Sequence, residues 1–508
     1  MNDTSHKIFS INDESVSDIV NRRERLVVCY GHFNVIHPGH KRYLKYARAQ
    51  GDKLVIALQD DASLINEVGQ YFSEYERAEG ISSLHIVDYV VILEKGKLDN
   101  FVKMVKPRIL VLGSEHESEP DKKIDAAVVE LKKYNGRVIY HAGETSYASV
   151  DLLHSRVDDL EREKVDLFKK ACRNQHINAK HLIDRIDQIK NTELLVIGDT
   201  IVDQYVACDA MGMSAEAPVL VVRELESREF VGGAAIVASH IKALGAKCHY
   251  LSVVGDDLHA GNVYKELEQQ DVNAYLIPDG SRPTTYKIRY MVENQKLFRV
   301  SQLREHKLTA EIEDIVIGKI RELAPVIDGI IVSDFVYGVV TDKVLEVILE
   351  VAVQYGLKLF GDVQCSSQMG KVTKFKNFTL VFPTEREARY ALDNMVDGVE
   401  WIANTLMDYL SANEALVKLG ADGFIAYARQ EDGFVVRQHY PALTVNPVDV
   451  AGAGDSLMAA MTACLSSGSN LMEASAIGAC MASLAVREVG NHPISCEQLK
   501  NYVSRVGE

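Results

Sequence analysis

The strongest constraint on how this chain can fold is a rhythm of hydrophobicity. Short, uninterrupted runs rich in Val, Ile and Leu alternate with longer amphipathic stretches, over residues 26–140 and again from residue 194 onward. A run with no polar side must be buried on both faces, and such strands belong in parallel sheets covered by helices. In the first series the runs are 26–30, 54–58, 89–93, 109–112 and 137–140; in the second they are 194–198, 329–333, 358–362, 379–382 and 415–419. The fold class is therefore α/β, and 508 residues leave room for two Rossmann-like domains.

Residues 150–190 interrupt the rhythm with Asp, Glu, Lys, Arg and Leu and no Gly or Pro, as charged connecting helices do. The expected division is an N-terminal extension (1–25), a first α/β domain (26–150), a helical linker (151–190) and a second α/β domain (191–508). Extension and linker read as solvated helix without functional signal. In the second domain, residues 219–223, 285–291 and 297–300 alternate apolar and polar residues, as half-exposed antiparallel strands do. They predict a β-flap over the main sheet, whose apolar face should cover a site, form a homodimer, or both.

Composition narrows the partners. The 56 Lys and Arg against 72 Asp and Glu leave a net charge of −16, which argues against nucleic acid and anionic membrane as partners. No run reaches the ~18 apolar residues of a spanning helix, and residues 1–25 lack the apolar segment of a secretory signal. The cytoplasm is the expected location. Eight scattered cysteines without a CxxC pair suggest buried thiols rather than disulfides or zinc.

The first apolar run ends in Gly31-His-Phe-Asn-Val-Ile-His-Pro-Gly-His40 and enters a helix with Tyr43, Leu44 and Ala47 on one face. That turn lies at the carboxyl end of a parallel strand, where open α/β sheets bind ligands. Pro38 and Gly39 suit a helix start whose free N–H groups face a phosphate, and His37 and His40 can both point at the same anion. The decapeptide resembles the GxFDxxHxGH signature of the cytidylyltransferase-like nucleotidyltransferases. The resemblance, which covers about 125 residues, implies that His37 and His40 stabilise charge on the α-phosphate of a nucleoside triphosphate, ATP or CTP, while a substrate phosphate attacks and pyrophosphate leaves. It further implies nucleotide contacts from Gly31, Phe33, Arg77, Gly113 and Ser149. Two positions depart from the family: Asn34 replaces its Asp, and Leu112 replaces a Lys, removing a cation from the triphosphate site.

In the second series, Gly198-Asp-Thr-Ile-Val-Asp203 is followed by Gly232-Gly-Ala-Ala235 and, far downstream, by Asp449-Val-Ala-Gly-Ala-Gly-Asp-Ser456. Residues 451–454 lack bulky side chains, so backbone amides at a helix start can surround a transferring phosphoryl group. Asp455 is placed to take a proton from an attacking hydroxyl. The set resembles the ribokinase-like sugar kinases over about 315 residues. That implies Asp455 as catalytic base and Gly452, Ala453 and Gly454 as anion hole. Asp199, Asp203, Gly232, Gly233, Lys287, Arg299 and Asp334 would bind the sugar, Lys418, Gly420 and Gly423 ATP, and Glu387 would organise Mg2+.

Ser214-Ala-Glu-Ala-Pro-Val219, Thr285-Tyr-Lys-Ile-Arg289, Asn294-Gln-Lys-Leu-Phe-Arg299 and Ser333-Asp334 look like the heptose kinase half of the bifunctional ADP-heptose synthases, with the domain order inverted here. The flap matches that family's dimerising β-lid. Departures again gather at the site: Ile236 stands for Asn, Tyr337 for Lys, Gln364 for Lys and Thr384 for Asn. The expected function is a sugar kinase joined to a sugar-1-phosphate nucleotidyltransferase, making a nucleotide-activated sugar for surface polysaccharide. Two alternatives stay open: a kinase-like domain reduced to a binding and dimerisation scaffold, and a cytidylyltransferase for a small alcohol phosphate fused to an unrelated kinase.

Overall fold

The computed structural model describes residues 5–13, 16, 24–33, 36, 38–63, 72–94, 97–113, 116, 122–141, 157–292, 295–364 and 370–507. The chain divides into two compact units, residues 1–148 with 394–404, and residues 149–393 with 405–508.

The first unit is built on a six-stranded sheet in the spatial order Ile8–Ser10, Tyr89–Leu93, Lys53–Gln59, Leu26–Gly31, Ile109–Gly113, Arg137–His141. Every neighbouring pair is parallel. The interior strands are apolar throughout because both faces are covered; Val27, Val28, Leu54, Val55, Ile56, Leu110 and Val111 are fully buried. Helix Leu98–Val105 buries Leu98, Phe101, Val102 and Val105, the i, i+3, i+4, i+7 spacing that puts one stripe on the sheet. Helix Glu74–Ser82 starts in a capping box, Ser73 accepting from the Glu76 N–H while Glu76 reaches back to Ser73.

The N-terminal extension is not the solvated helix expected for it. Residues 8–10 add an edge strand, with Ile8 in register with Val90, and Lys7 Nζ donates to Val87 O at 2.9 Å. A three-residue strand is too short to show a period in sequence, so the polar residues around it masked it.

Among the described residues the second unit has three sheets. The main one runs Asn273–Pro278, Lys247–Val254, Glu193–Gly198, Gly329–Asp334, Lys358–Val363, Leu380–Val381, all parallel. The lid is a four-stranded sheet, Gln295–Gln302, Thr285–Val292, Thr200–Met213, Leu220–Gly233, which contains the alternating segments; Thr285–Val292 runs antiparallel to Gln295–Gln302 as expected but parallel to Thr200–Met213. Glu414–Lys418, expected in the main sheet, instead opens an antiparallel sheet with Phe424–Arg429 and Val435–Tyr440. Apolar content alone does not distinguish these two placements.

Helices Ala453–Ser466 and Leu471–Ala485 are buried along most of their length. Around them packs one core that also takes in Phe168, Ala171, Leu182 and Ile186. Those four residues lie on helices Val157–Asn174 and Ala179–Gln188, within the segment expected to be a linker. Their apolar stripes were diluted by charge, yet both helices are part of the second unit's core. No helix among the described residues is long and apolar enough to cross a membrane.

Candidate active site

In the second unit, three neighbouring parallel strands end in acidic residues: Gly198 leads to Asp199, the next strand closes on Asp334, and the third carries Asp362. Carboxyl ends of adjacent parallel strands form the crevice where such sheets bind ligands. Helix Ala453–Ser466 brings Asp455 to it in its first turn. The helix is preceded by Gly452 at φ +78°, a conformation that disfavours other residues, and this start has no capping side chain. The Ala453 N–H donates to Val450 O at 3.4 Å, and the N–H groups of Gly454 and Asp455 that follow are those a ligand could take.

Asp455 is buried, and its Oδ1 accepts from Gln364 Nε2 at 2.8 Å; the same amide lies 3.3 Å from Asp362 Oδ2. Lys418 Nζ sits 3.0 and 3.1 Å from the two oxygens of Asp362. A Cβ on Gly454 would lie 3.5 Å from that ammonium, so Lys418 borders the anion-hole turn as well as leading into the Gly420–Asp422 turn. Burial, and then the nearby Asp362 charge, push the Asp455 carboxyl up to about 7 against the pull of Lys418 and Gln364. A carboxylate that takes up a proton near neutrality is suited to general-base work. Gly420 and Gly423 both have positive φ, at +65° and +90°.

Asp203 and Gly232 form a second corner, where a Cβ on Gly232 would lie 2.6 Å from Asp203 Oδ2. Only glycine lets the carboxylate come so near the backbone. Gly233 continues at φ +63°. Arg289 of the lid forms an ion pair with Asp203. Asp199 accepts N–H groups from Phe335, Tyr337 and Val339 at 2.8, 3.3 and 3.4 Å, so it shapes the loop beside the pocket. Asp334 pairs with Lys374, whose ammonium burial pushes down to about 8. Lys287 Nζ lies 5.3 and 5.2 Å from the ring centres of Phe335 and Tyr337.

Arg299 is exposed on the outer lid strand, opposite Arg289 in register. Glu387 accepts the Thr384 N–H at 2.7 Å in the capping box of helix Glu385–Ala391, and its charge acts on both Asp362 and Lys418. No cluster of three or more His, Cys, Asp or Glu suited to a metal occurs among the described residues.

In the first unit, Gly31 ends the central strand, and a Cβ there would lie 3.1 Å from the Phe33 ring. Phe33 is buried at φ +45° with its ring centre 5.1 Å from that of His40, which lies in the first turn of helix Pro38–Ala49. Gly113 closes the neighbouring strand. Arg77 donates to His32 O, to Gln59 O at 2.9 Å and to Asp61 Oδ1 at 2.8 Å, and its side chain is fully buried. It ties together the loops after two strands, a strut rather than a displayed cation. His37, Asn34 and Ser149 lie outside the described residues.

The model of the pfkB family of carbohydrate kinases matches residues 191–496. The chain belongs to that family. Residues 28–145 match a second model, described as cytidylyltransferase-like. Among curated relatives, "Bifunctional protein HldE" of Campylobacter jejuni subsp. jejuni serotype O:6 is 29% identical over 323 residues, 61% of this chain and 64% of that one. The serotype O:2 protein is 30% identical with the same coverage. The chain thus spans less than two thirds of the length of these relatives. Escherichia coli phosphofructokinase-2 in complex with substrates and products is similar in fold, with TM-score 0.52 and 16% identity, covering 62% of this chain and 100% of that one. The same enzyme with fructose-6-phosphate gives 0.51 and 17%, with equal coverage.

Within the pfkB unit, the departures noted in sequence have physical counterparts. Ile236 is buried in helix Ala234–Ala243, and Tyr337 is buried with Lys287 beside its ring. Gln364 bridges Asp362 and Asp455, and Thr384 caps a helix. Lys374 was missed by sequence reasoning, and Arg289 and Lys296 stood in family-like stretches without being named as site residues. Each gains its meaning from a partner at least 40 residues away in sequence, Asp334, Asp203 and Asp449 respectively, and no local pattern announces that.

Proposed function

We propose that the chain is a bifunctional transferase, a sugar kinase joined to a sugar-1-phosphate nucleotidyltransferase, that makes a nucleotide-activated sugar of the ADP-heptose kind. The observation that carries the kinase half is Asp455, a buried carboxylate with its proton affinity near neutrality at an uncapped helix start. A sugar hydroxyl held at Asp203 and Gly232 loses its proton to an Asp455 oxygen as its own oxygen attacks the γ-phosphoryl group of ATP. The bond from phosphorus to the β,γ-bridging oxygen breaks and ADP leaves, while N–H groups of the 452–454 turn face the charge on the transferring group. Magnesium, bound with the nucleotide, supplies charge neutralisation on the phosphates. A lone acid near the nucleotide suits an ion that keeps water and phosphate as most of its ligands, and Glu387 would be the acid to hold it.

In the transferase half, a phosphate oxygen of the sugar 1-phosphate attacks the α-phosphorus of ATP or CTP, and pyrophosphate leaves. His37 and His40 stabilise the charge that develops, so positioning and electrostatics supply the rate. The two halves belong together because a kinase acting on the anomeric hydroxyl makes the class of compound that the transferase consumes. The names of the relatives, which call them bifunctional, support this pairing. Supporting a homodimer through the lid, Met211, Met213, Leu220, Leu225 and Phe298 are large apolar side chains left exposed on its strands.

The test is a pair of assays on the whole chain with magnesium. One measures ADP formed from ATP over a panel of free and phosphorylated pentoses, hexoses and heptoses. The other measures pyrophosphate released from ATP or CTP with sugar 1-phosphates. Turnover in both is expected; no turnover on any sugar contradicts the kinase half, and no pyrophosphate contradicts the transferase half.

A further inference from the structure

A side chain that no motif singles out reaches the Asp203 corner from near the end of the chain. Asn491 lies in the segment between helices Leu471–Ala485 and Cys496–Gly507. Its Nδ2 stands 3.5 Å from Asp203 Oδ2, at the outer limit of a hydrogen bond. A Cβ on Gly232 would lie 3.1 Å from that Nδ2, and a Cβ on Gly452 2.5 Å from Asn491 Oδ1. The amide therefore spans the gap between the sugar-site glycine and the anion-hole turn. Oδ1 is buried and has no hydrogen-bond partner among the described residues. Buried amide oxygens are nearly always paired, and an exception beside a pocket points to a donor brought by a ligand.

The segment is anchored on both sides of this residue. Gly490 N–H donates to Asp449 Oδ2 at 3.4 Å, His492 stands edge-on to Phe230 with ring centres 5.2 Å apart, and Ile494 N–H donates to His240 Nδ1 at 3.3 Å. An amide held by so fixed a backbone is pre-positioned.

We propose that Asn491 is a specificity-determining residue of the sugar pocket, its amide, held beside the Asp203 carboxylate, reading one hydroxyl of the acceptor sugar. A hydroxyl suits the amide because it both donates and accepts: its one proton satisfies Asn491 Oδ1, and its oxygen can take a hydrogen bond from the Nδ2 proton that Asp203 does not use. The inference rests on reading this unit as a sugar kinase. It differs from that reading in being about which sugar, not whether phosphate moves.

The experiment measures equilibrium binding and ATP-dependent phosphorylation of the pentose, hexose and heptose panel by the wild type and by the near-isosteric Asn491→Leu and Asn491→Asp variants. Singly deoxygenated analogues of the tightest-binding sugar are included, with ATP affinity and melting temperature as folding controls. Both variants should lose roughly ten- to hundredfold in sugar affinity and kcat/KM with ATP affinity unchanged, and one deoxy analogue should bind wild type and Asn491→Leu alike. Unchanged sugar affinity in variants that still fold and bind ATP overturns the proposal. So does an equal loss for every deoxy analogue. If the wild type binds a sugar but phosphorylates none, the kinase reading falls while binding still judges Asn491; if it binds no sugar, both fall.

Discussion

In the proposed kinase Asp455 is the base, and its cost to stability follows from the same burial that raises its proton affinity. A free aspartate releases its proton near pH 4, whereas in the folded chain this happens at about 7. The folded state thus binds the proton over a range where the unfolded chain has let it go. Stability from this group is greatest below about pH 4 and is lost as pH rises through about 7. Asp455→Asn should therefore raise the unfolding free energy at pH 8 by about 2–4 kcal/mol and leave it unchanged near pH 4, measured by denaturant titration at both. Gln364 works the other way, its N–H holding the ionised form. In Gln364→Leu the acid limb of the kinase pH profile should move up by roughly one unit; an unmoved limb would mean that the amide does not tune the base. Asp455 could be read in sequence because its glycine turn is contiguous. Gln364 was legible only as a departure from the family pattern, since its place beside Asp455 comes from a strand end 91 residues away.

The lid is tied to the anion-hole turn through one residue. Asp449 accepts from Tyr205 OH at 2.7 Å, from Lys296 Nζ at 3.0 Å and from the Ala451 N–H at 3.1 Å. Burial alone would raise its carboxyl, but these donors hold it below the usual range. Lys296→Ala should raise the sugar KM several-fold with kcat little changed, since Lys296 is partly exposed and its pair is worth at most about 1 kcal/mol. Phe298→Asp, on the exposed apolar face, should convert a dimer to a monomer in analytical ultracentrifugation; an unaltered sedimentation profile would exclude the lid as the interface. How far the lid was readable follows its burial. Residues 288–291 are partly exposed and the sequence alternates over 285–291, so they declared themselves although Thr285, Tyr286 and Lys287 are buried. Strand Thr200–Met213 begins with Thr200, Ile201, Val202 and Asp203 all buried, which erases the period of two until it leaves the core. The rest of its neighbour, Glu224 to Glu229, is charged and exposed and looks like loop.

In the proposed function the molecule carries two sheet edges in one chain, each performing its own transfer. Sequence alone revealed the two units because parallel strands buried on both faces cannot be polar. It misjudged residues 157–188, whose charged outer faces hid the apolar stripe that joins the second unit's core. The most direct test is to measure both activities in two single-site variants of the whole chain, His37→Ala and Asp455→Asn. His37→Ala should abolish pyrophosphate release and leave sugar-dependent ADP formation at the wild-type rate, and Asp455→Asn should do the reverse. Loss of both activities together in either folded variant would contradict two independent sites.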